Sequence, residues 1–427
     1  MLKLINQPFD GQLGNILIDK LSEEKYKTFV IVSAFAKNSG VLRLKDSIKE
    51  FHDKGGKIQA FIGIDAHGTS YEALLNLFYL VDDLYIIHDS NTGTTFHSKI
   101  YYLSDLNELN WIAVGSNNLT GGGLWTNIES STIFDAETIF DAELSTNSKS
   151  ISYFQPFIKL IAELKSNSCP FSMKIKDIDD LDKLLENDLL RHEIQLQISA
   201  AKSRHLTGTI VNTNTGTSLF GTIGKIQIPT IKEKPKGEKV KIKERTVEIP
   251  STEPIVPLNN AEKMWFETRA MTSASRNTLD LSMSGRLLLG DGNETRYKTN
   301  DSSVVLGSVV FFDVDPNNTT EEKNIIINYN AKDYFGCTRK IYNNGNNPNG
   351  SWRVLVNGKN DKGEKLTTAV GKEAFVHKII VFEKIRSDYY AMSILPESEL
   401  DTLKSKSVFV ASNGSRKDSK QYGLLDI

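Results

Sequence analysis

The first 165 residues alternate between apolar runs and amphipathic segments. The runs lie at 29–32, 58–64, 84–87, 100–103 and 111–114. The run at 29–32 is rich in β-branched residues, as is typical of a strand buried on both faces. Helical periodicity covers 42–51 and 71–81. Because strands and helices alternate, we predict an α/β domain over residues 1–165, with helices covering the faces of a mixed sheet.

The pattern changes twice further along the chain. Residues 155–200 look helical and strongly charged, and Lys- and Pro-rich sequence at about 225–257 indicates an extended linker. From Trp265 onward, turn residues separate short apolar runs at 287–289, 304–312, 325–329, 352–356, 377–382 and 389–395. We therefore predict a helical and linker segment over 166–257 and a mostly β domain, a barrel or sandwich, over 258–427.

The charge is divided unevenly between the two halves. The 427 residues carry a net charge of −2, but residues 1–200 hold 18 basic and 27 acidic side chains, whereas residues 201–427 hold 33 and 26. Within the second half, residues 225–245 contain eight basic and three acidic groups. These lysines fit either a merely soluble linker or nonspecific attraction to phosphates, so a polyanion is a candidate partner of the basic half.

Composition excludes several classes of protein. With 39% hydrophobic and 24% charged residues the chain is not a wholly disordered one, and its two cysteines, Cys169 and Cys337, cannot build a disulfide scaffold. No Cys/His spacing suggests zinc, and no apolar run reaches the roughly 18–20 residues of a membrane span. No signal-peptide core precedes residue 10. We therefore expect a cytoplasmic protein without a metal site, a cofactor or a membrane partner.

Candidate chemistry lies around two of the predicted strands. His97 and Lys99 are two residues apart and share one face of a strand, while Ser116 and Asn118 follow the next strand at a Gly-Ser turn. Histidine can attack phosphorus, lysine can neutralise phosphoryl oxygens, and Ser and Asn can donate to them. Glu129 could accept a hydrogen bond from the imidazole and fix its tautomer. Singly, each residue also fits an ordinary surface or turn position.

The combination resembles the H-x-K and G-S-x-N motif of the phospholipase D superfamily. His97, Lys99, Gly115, Ser116 and Asn118 match it, whereas Ser104 stands where the motif has aspartate, and Asp105 comes one residue late. Residues 63–74 are similar to a stretch upstream of this motif in NgoFVII/BfiI-like restriction endonucleases. The departure at Ser104 fits the nuclease branch of the superfamily better than the lipases.

The resemblance implies a mechanism. It implies a covalent phosphohistidine on His97, a phosphate held by Lys99, Ser116 and Asn118, an imidazole oriented by Glu129, and no metal requirement. The superfamily uses two facing motifs, and this chain contains one. The resemblance therefore implies a homodimer through the N-terminal domain, with one composite active site.

The C-terminal part looks like the DNA-recognition domain of the same endonucleases, which is similar to the B3 pseudobarrel. Polar loops between short strands suit a reader of the major groove, although they also suit ordinary hairpin turns. The candidate DNA-contacting residues are Thr272, Ser273, Ser275, Arg276, Asn277, Asn347, Asn349, Trp352 and Arg353.

We therefore predict a type II restriction endonuclease that hydrolyses double-stranded DNA at specific sequences. A cognate DNA methyltransferase is the expected functional companion, and a helicase-like ATPase subunit is a possible partner. Two alternatives stay open: a phospholipase or other phosphodiesterase of the same superfamily, and a catalytically silent DNA-binding protein.

Overall fold

The computed structural model describes most of the chain as two sheets with their helices. The described residues are 2–90, 93–105, 110–135, 147–196, 262–270, 277–283, 287–288, 290, 292, 295–299, 304–315, 323–341, 351–371, 375–414 and 419–425. Within them, no helix is both long and apolar enough to cross a membrane. The predicted linker at 225–257 lies outside these residues.

The N-terminal sheet has eight strands in the order β1-β7-β6-β5-β2-β3-β4-β8. The strands are β1 (Leu2–Gln7), β2 (Thr28–Ser33), β3 (Lys57–Gly63), β4 (Asp83–Ile87), β5 (Lys99–Ser104), β6 (Asn110–Gly115), β7 (Glu129–Asp135) and β8 (Ser172–Lys174). The β2, β3 and β4 strands are parallel, and the other pairs are antiparallel. The predicted mixed α/β sheet is therefore confirmed, together with its five predicted strands.

Helices cover both faces of this sheet. They are α1 (Leu13–Ser22), α2 (Asn38–Asp53), α3 (Tyr71–Leu80), α4 (Asn147–Lys165) and α5 (Ile178–Glu186). Phe29 and Ile31 of β2 belong to the core formed with α1, α2 and α3, whereas Val30 and Val32 pack with Phe154 and other α4 residues. Burial of alternate residues on opposite faces explains why the strand appears in the sequence as an unbroken apolar run. β8 and α5, which fall in the predicted middle segment, pack against this domain.

The C-terminal sheet has eleven strands in the order β10-β15-β14-β13-β17-β16-β9-β19-β18-β11-β12. They are β9 (Lys263–Glu267), β10 (Thr278–Met283), β11 (Leu287–Leu288), β12 (Val304–Val305), β13 (Lys323–Tyr329), β14 (Lys332–Ile341), β15 (Ser351–Leu355), β16 (Lys378–Arg386), β17 (Tyr389–Pro396), β18 (Ser407–Ser412) and β19 (Gln421–Leu425). The short helices are α6 (Gly307–Phe311), α7 (Leu366–Val370) and α8 (Leu400–Lys404).

One C-terminal expectation needs correction, and another stays a prediction. Among the described residues the end strands β10 and β12 do not pair with each other, so these strands do not show the predicted barrel, and the B3-like pseudobarrel stays a prediction. The predicted strand at 304–312 is a two-residue strand followed by helix α6. The run is mostly apolar because Val309, Phe311 and Phe312 are all buried, and a short apolar run does not distinguish a strand from a buried helix.

The two domains touch along α2. Leu42 of α2 packs with Tyr389 and Ala391 of β17, and the Lys45 ammonium lies 2.6 Å from the Asp333 carboxylate. Ile194, near the end of the described N-terminal part, packs into a C-terminal cluster that includes Trp265. Part of the catalytic candidate domain is therefore in direct contact with the β domain.

Candidate active site

The candidate catalytic residues lie at one edge of the N-terminal sheet, where β5 begins and β6 ends. The two strands are antiparallel, with Ile100 opposite Val114. Lys99 opens β5 and Gly115 closes β6, so the His97 segment and the Ser116 turn meet at the same edge. Gly115 allows the close approach of β7, because a Cβ there would lie 2.1 Å from the Ser131 hydroxyl oxygen.

His97 and Lys99 are in direct contact. The His97 side chain is exposed and the Lys99 side chain is buried, and Lys99 Nζ lies 2.7 Å from His97 Nδ1 while donating to the His97 carbonyl oxygen at 2.7 Å. A ring nitrogen that accepts this bond carries no proton, so a neutral imidazole then has its proton on Nε2. Burial lowers the pKa of Lys99, and the nearby charge of Glu129 opposes that shift.

Ser116 and Glu129 form a second contact at this edge. The Ser116 hydroxyl donates to Glu129 Oε2 and accepts from the Ser130 amide at 3.1 Å, and Asn127 Nδ2 donates to Glu129 Oε1 at 3.2 Å. Glu129 is the first residue of β7, beside the end of β6, which places it next to Ser116. The structure therefore pairs Glu129 with Ser116, and the contact at His97 Nδ1 comes from Lys99, not from the carboxylate that we expected.

Phe35 links Asn118 to His97. The Phe35 amide donates to Asn118 Oδ1 at 3.1 Å, and its ring lies edge-on to the His97 imidazole with centroids 6.0 Å apart. Since Oδ1 is engaged, the amide nitrogen is the group of Asn118 that can donate to a ligand. Phe35 was not predicted, because nothing distinguishes a phenylalanine after a buried strand from core packing.

The edge combines the side chains that a phosphate group requires. Imidazole, ammonium, hydroxyl and carboxamide groups meet there, and no group of three or more His, Cys, Asp or Glu in the described ranges is arranged to hold a metal ion. Ser104, which replaces the aspartate of the motif, ends β5. Five residues of extended chain place it about 17 Å from the start of that strand, away from the candidate site.

The candidate DNA-contacting residues are only partly described. Thr272, Ser273, Ser275, Arg276, Asn347 and Asn349 lie outside the described residues. Asn277 directly precedes β10, and its carbonyl accepts from the Val356 amide at 2.9 Å. Arg353 is partly exposed on β15, whereas Trp352 is 1% exposed in the β-domain core. Trp352 must therefore be withdrawn as a base contact, because strand alternation turns its ring inward.

The two segments that contain the candidate DNA-contacting residues, 272–277 and 347–353, adjoin two neighbouring strands, β10 and β15. In the β10–β15 pair, Thr278 lies opposite Leu355 and Met283 lies opposite Ser351. Residue 277 and residue 351, where the stretches meet the described strands, are therefore at opposite ends of the pair.

Comparison with known proteins gives partial likenesses. No family model matches the sequence, and no curated protein matches it. Among solved structures, the chain is similar to Nuc from Salmonella typhimurium, a phospholipase D family member, with 11% identity over 42% of this chain and 99% of that chain and a TM-score of 0.28. It is also similar to NucT from Helicobacter pylori, with 17% identity over 37% and 96% of the two chains and a TM-score of 0.26. A third is the yeast tyrosyl-DNA phosphodiesterase, with 16% identity over 44% and 40% and a TM-score of 0.25. Each likeness covers less than half of this chain, so the chemistry has to be argued from the site itself.

Proposed function

We propose that this chain is a phosphodiesterase of the phospholipase D superfamily that cleaves double-stranded DNA as a type II restriction endonuclease. The observation that carries the proposal is the contact of Lys99 Nζ with His97 Nδ1 at 2.7 Å, at the same sheet edge as Ser116 and Asn118. An exposed imidazole beside a buried cation and neutral donors suits nucleophilic attack on a phosphate diester.

The proposed reaction has two displacements at phosphorus. His97 attacks through its unprotonated ring nitrogen, a P–N bond forms, and the P–O bond to one DNA oxygen breaks. His97 of the partner subunit donates a proton to that leaving oxygen and then removes a proton from the water that hydrolyses the phosphohistidine. Only one H-x-K triplet of this chain, His97 to Lys99, is followed by a G-S-x-N sequence, which supports a homodimer as the source of the second imidazole.

Binding of the phosphate would have to rearrange the contact at His97. Attack through Nε2 requires the ring proton on Nδ1, yet Nδ1 accepts from Lys99 in the structure. A phosphate anion would draw the Lys99 ammonium to itself and free Nδ1 to carry the proton. The hydrogen bond from Ser116 to Glu129 would open as well. Glu129 would then orient the imidazole, while the freed Ser116 hydroxyl and the Asn118 amide donate to the phosphoryl oxygens.

The basic second half supports DNA as the substrate. It would supply phosphate contacts that the acidic first half cannot, and Arg276, Asn277, Arg353 and the neighbouring polar residues would read bases. Restriction of unmodified DNA would require a cognate methyltransferase in the same cell, and a helicase-like ATPase could act with the nuclease.

The decisive experiment is cleavage of a large unmethylated DNA in EDTA, followed by sequencing of the ends. We expect discrete ends at one recurring sequence with the wild type, and at least a thousandfold slower cleavage with His97→Asn. His377→Asn is the matched control, because His377 is also exposed and has its Nδ1 3.2 Å from the Glu397 carboxylate in the β domain. Equal activity of the two variants would show that His97 does not act in the reaction. Ends at random positions would show that the cleavage is not sequence-specific.

A further inference from the structure

Asp65 holds the chain immediately before His97. Asp65 is 7% exposed, and its Oδ2 accepts from the Phe96 amide at 2.7 Å while Oδ1 lies 2.6 Å from His88 Nδ1. The Phe96 amide belongs to the peptide that joins residues 95 and 96, so this carboxylate fixes the backbone one residue before His97. Hydrogen bonds to an ionised carboxylate are stronger than neutral ones, which suits a fixed anchor.

The turn that carries Asp65, residues 63–70, is itself tightly constrained. Ala66 and His67 both have a φ of 52°, a left-handed conformation that non-glycine residues rarely adopt. Gly68 lies against the Phe35 ring, where a Cβ would come within 2.0 Å of a ring carbon. Strained backbone of this kind persists only where the surrounding contacts determine it, and it is concentrated at functional sites.

The same turn reaches the other half of the site through Thr69. Thr69 Oγ1 donates to the Gly63 carbonyl at 2.6 Å and accepts from the Ala36 amide at 3.0 Å. Ala36 follows Phe35, whose amide binds Asn118. Residues 63–70 therefore hold the backbone beside His97 on one side and the backbone beside Asn118 on the other.

We propose that Asp65 is a positioning residue for His97, which sets the imidazole against Lys99 by fixing the Phe96 peptide, with His88 holding the carboxylate in place. This role rests on the proposed function of the site, since positioning matters for the rate only if His97 reacts. It gives the turn at residues 63–70, the first part of the stretch at 63–74, a physical role that the sequence resemblance alone did not supply.

The test compares Asp65→Ala with Asp82→Ala in the full-length protein. Asp82 is a matched control because its Oδ2 also accepts a backbone amide, that of Ile58 at 2.7 Å, near the opposite end of β3. With labelled imidazole carbons, the His97 signal is assigned by its loss in His97→Gln. We expect Asp65→Ala to move that signal and to lower kcat for DNA cleavage at least 30-fold, with KM changed less than threefold. Asp82→Ala should leave the His97 signal in place and kcat within threefold.

Asp65→Asn separates positioning from general loss of structure. Its side-chain oxygen can still accept from the Phe96 amide, so its kcat should lie between that of the wild type and that of Asp65→Ala. If Asp65→Ala does not fold, Asp65→Asn is compared with Asp82→Ala in its place. An unmoved His97 signal in the Asp65 variants, or equal effects of Asp65→Ala and Asp82→Ala, would overturn the proposal. If the wild type cleaves no DNA, the proposed function fails, and the His97 signal alone still decides whether Asp65 positions the imidazole.

Discussion

The ammonium of Lys99 lies 2.7 Å from Nδ1 of His97, and the lysine side chain is buried while the imidazole is exposed. A cation is thus held against the ring nitrogen, because Lys99 begins β5 and His97 lies two residues before that strand. His97 is the group proposed to attack the phosphate, and Lys99 is the group proposed to neutralise it. The protonation states of these two side chains should therefore control the rate of the reaction.

The first prediction concerns the alkaline side of the pH profile. Burial lowers the pKa of Lys99 below the usual value of 10.5, so the cation is lost at a lower pH than in an exposed lysine. We expect kcat/KM to fall as pH rises toward 10.5, and we expect this fall to disappear in Lys99→Arg, because a guanidinium stays charged throughout that range. Lys99→Arg should also be about 10- to 100-fold slower at pH 7, since the larger planar group does not fit the buried position. An alkaline limb that persists in Lys99→Arg belongs to another group.

A second prediction separates two roles at the Ser116–Glu129 contact. If Ser116 donates to the phosphate and Glu129 orients His97 during the reaction, Ser116→Ala and Glu129→Gln should each lower kcat/KM about 10- to 1000-fold. Because the two residues would then act on different groups, their effects should add in the double variant. A double variant no slower than the slower single variant would mean that Ser116 acts only through Glu129. Steady-state cleavage of a short duplex measures all four forms.

The sequence predicted the five central strands of the N-terminal sheet, but it did not predict the outer strands, for a physical reason. β2 and β3 are buried on both faces and are mostly apolar, with Gln59 as the one polar residue inside β3, whereas β1 and β7 mix exposed and polar residues with apolar ones. At the site, the spacing of His97 and Lys99 was enough to place both at one edge. The contacts of Asp65 with Phe96 and of Phe35 with Asn118 depend on how separate strands come together, which spacing along the chain does not report.

A third prediction concerns Glu193 at the domain contact. Its Oε2 accepts from the Asn38 amide at 2.7 Å and from the Ser70 hydroxyl at 2.8 Å, at the starts of α2 and α3. Burial, followed by the charge of Glu383, raises the pKa of Glu193 to about 7. Since the folded pKa exceeds that of the unfolded chain, the stability that Glu193 contributes is fully present below about pH 4.5 and falls as pH rises to about 7.

The measurement is urea unfolding of the wild type and Glu193→Gln at pH 5 and pH 8. The glutamine variant does not titrate, so its stability relative to the wild type should improve between the two values, by an amount on the order of 1–3 kcal/mol. A difference that stays constant with pH would mean that Glu193 keeps an ordinary pKa in the folded protein.

The fourth prediction concerns sequence reading by Arg276, which lies outside the described residues. If Arg276 contacts a base, Arg276→Ala should weaken specific binding by about 1–3 kcal/mol and leave nonspecific binding within threefold. Lys232→Ala in the basic linker is the control, since a phosphate contact there would weaken both kinds of binding about equally. Titration of the cleaved sequence and of a scrambled duplex at one salt concentration measures both. Unchanged specific affinity would remove Arg276 from the reading surface.

The last prediction tests the contact between the domains. Lys45 of α2 lies 2.6 Å from Asp333, which also accepts from Asn328 and Tyr389. Burial alone would raise the pKa of Asp333, yet Lys45 and the other donors hold it below its usual value, so the carboxylate is charged at neutral pH. Lys45→Met leaves that buried charge without its cation and should cost about 3 kcal/mol of unfolding free energy.

Two further variants show whether burial is the cause. Asp46→Asn, one residue along α2, breaks the more exposed pair with Arg386 at 2.8 Å and should cost less than about 1 kcal/mol. Adding Asp333→Asn to Lys45→Met removes the buried charge that has lost its cation. The double variant should therefore recover more than half of the unfolding free energy that Lys45→Met loses. Urea unfolding at pH 7 measures all of them. Equal small costs for Lys45→Met and Asp46→Asn would mean that solvent reaches Asp333, and the α2 contact would then be too open to hold the two domains together.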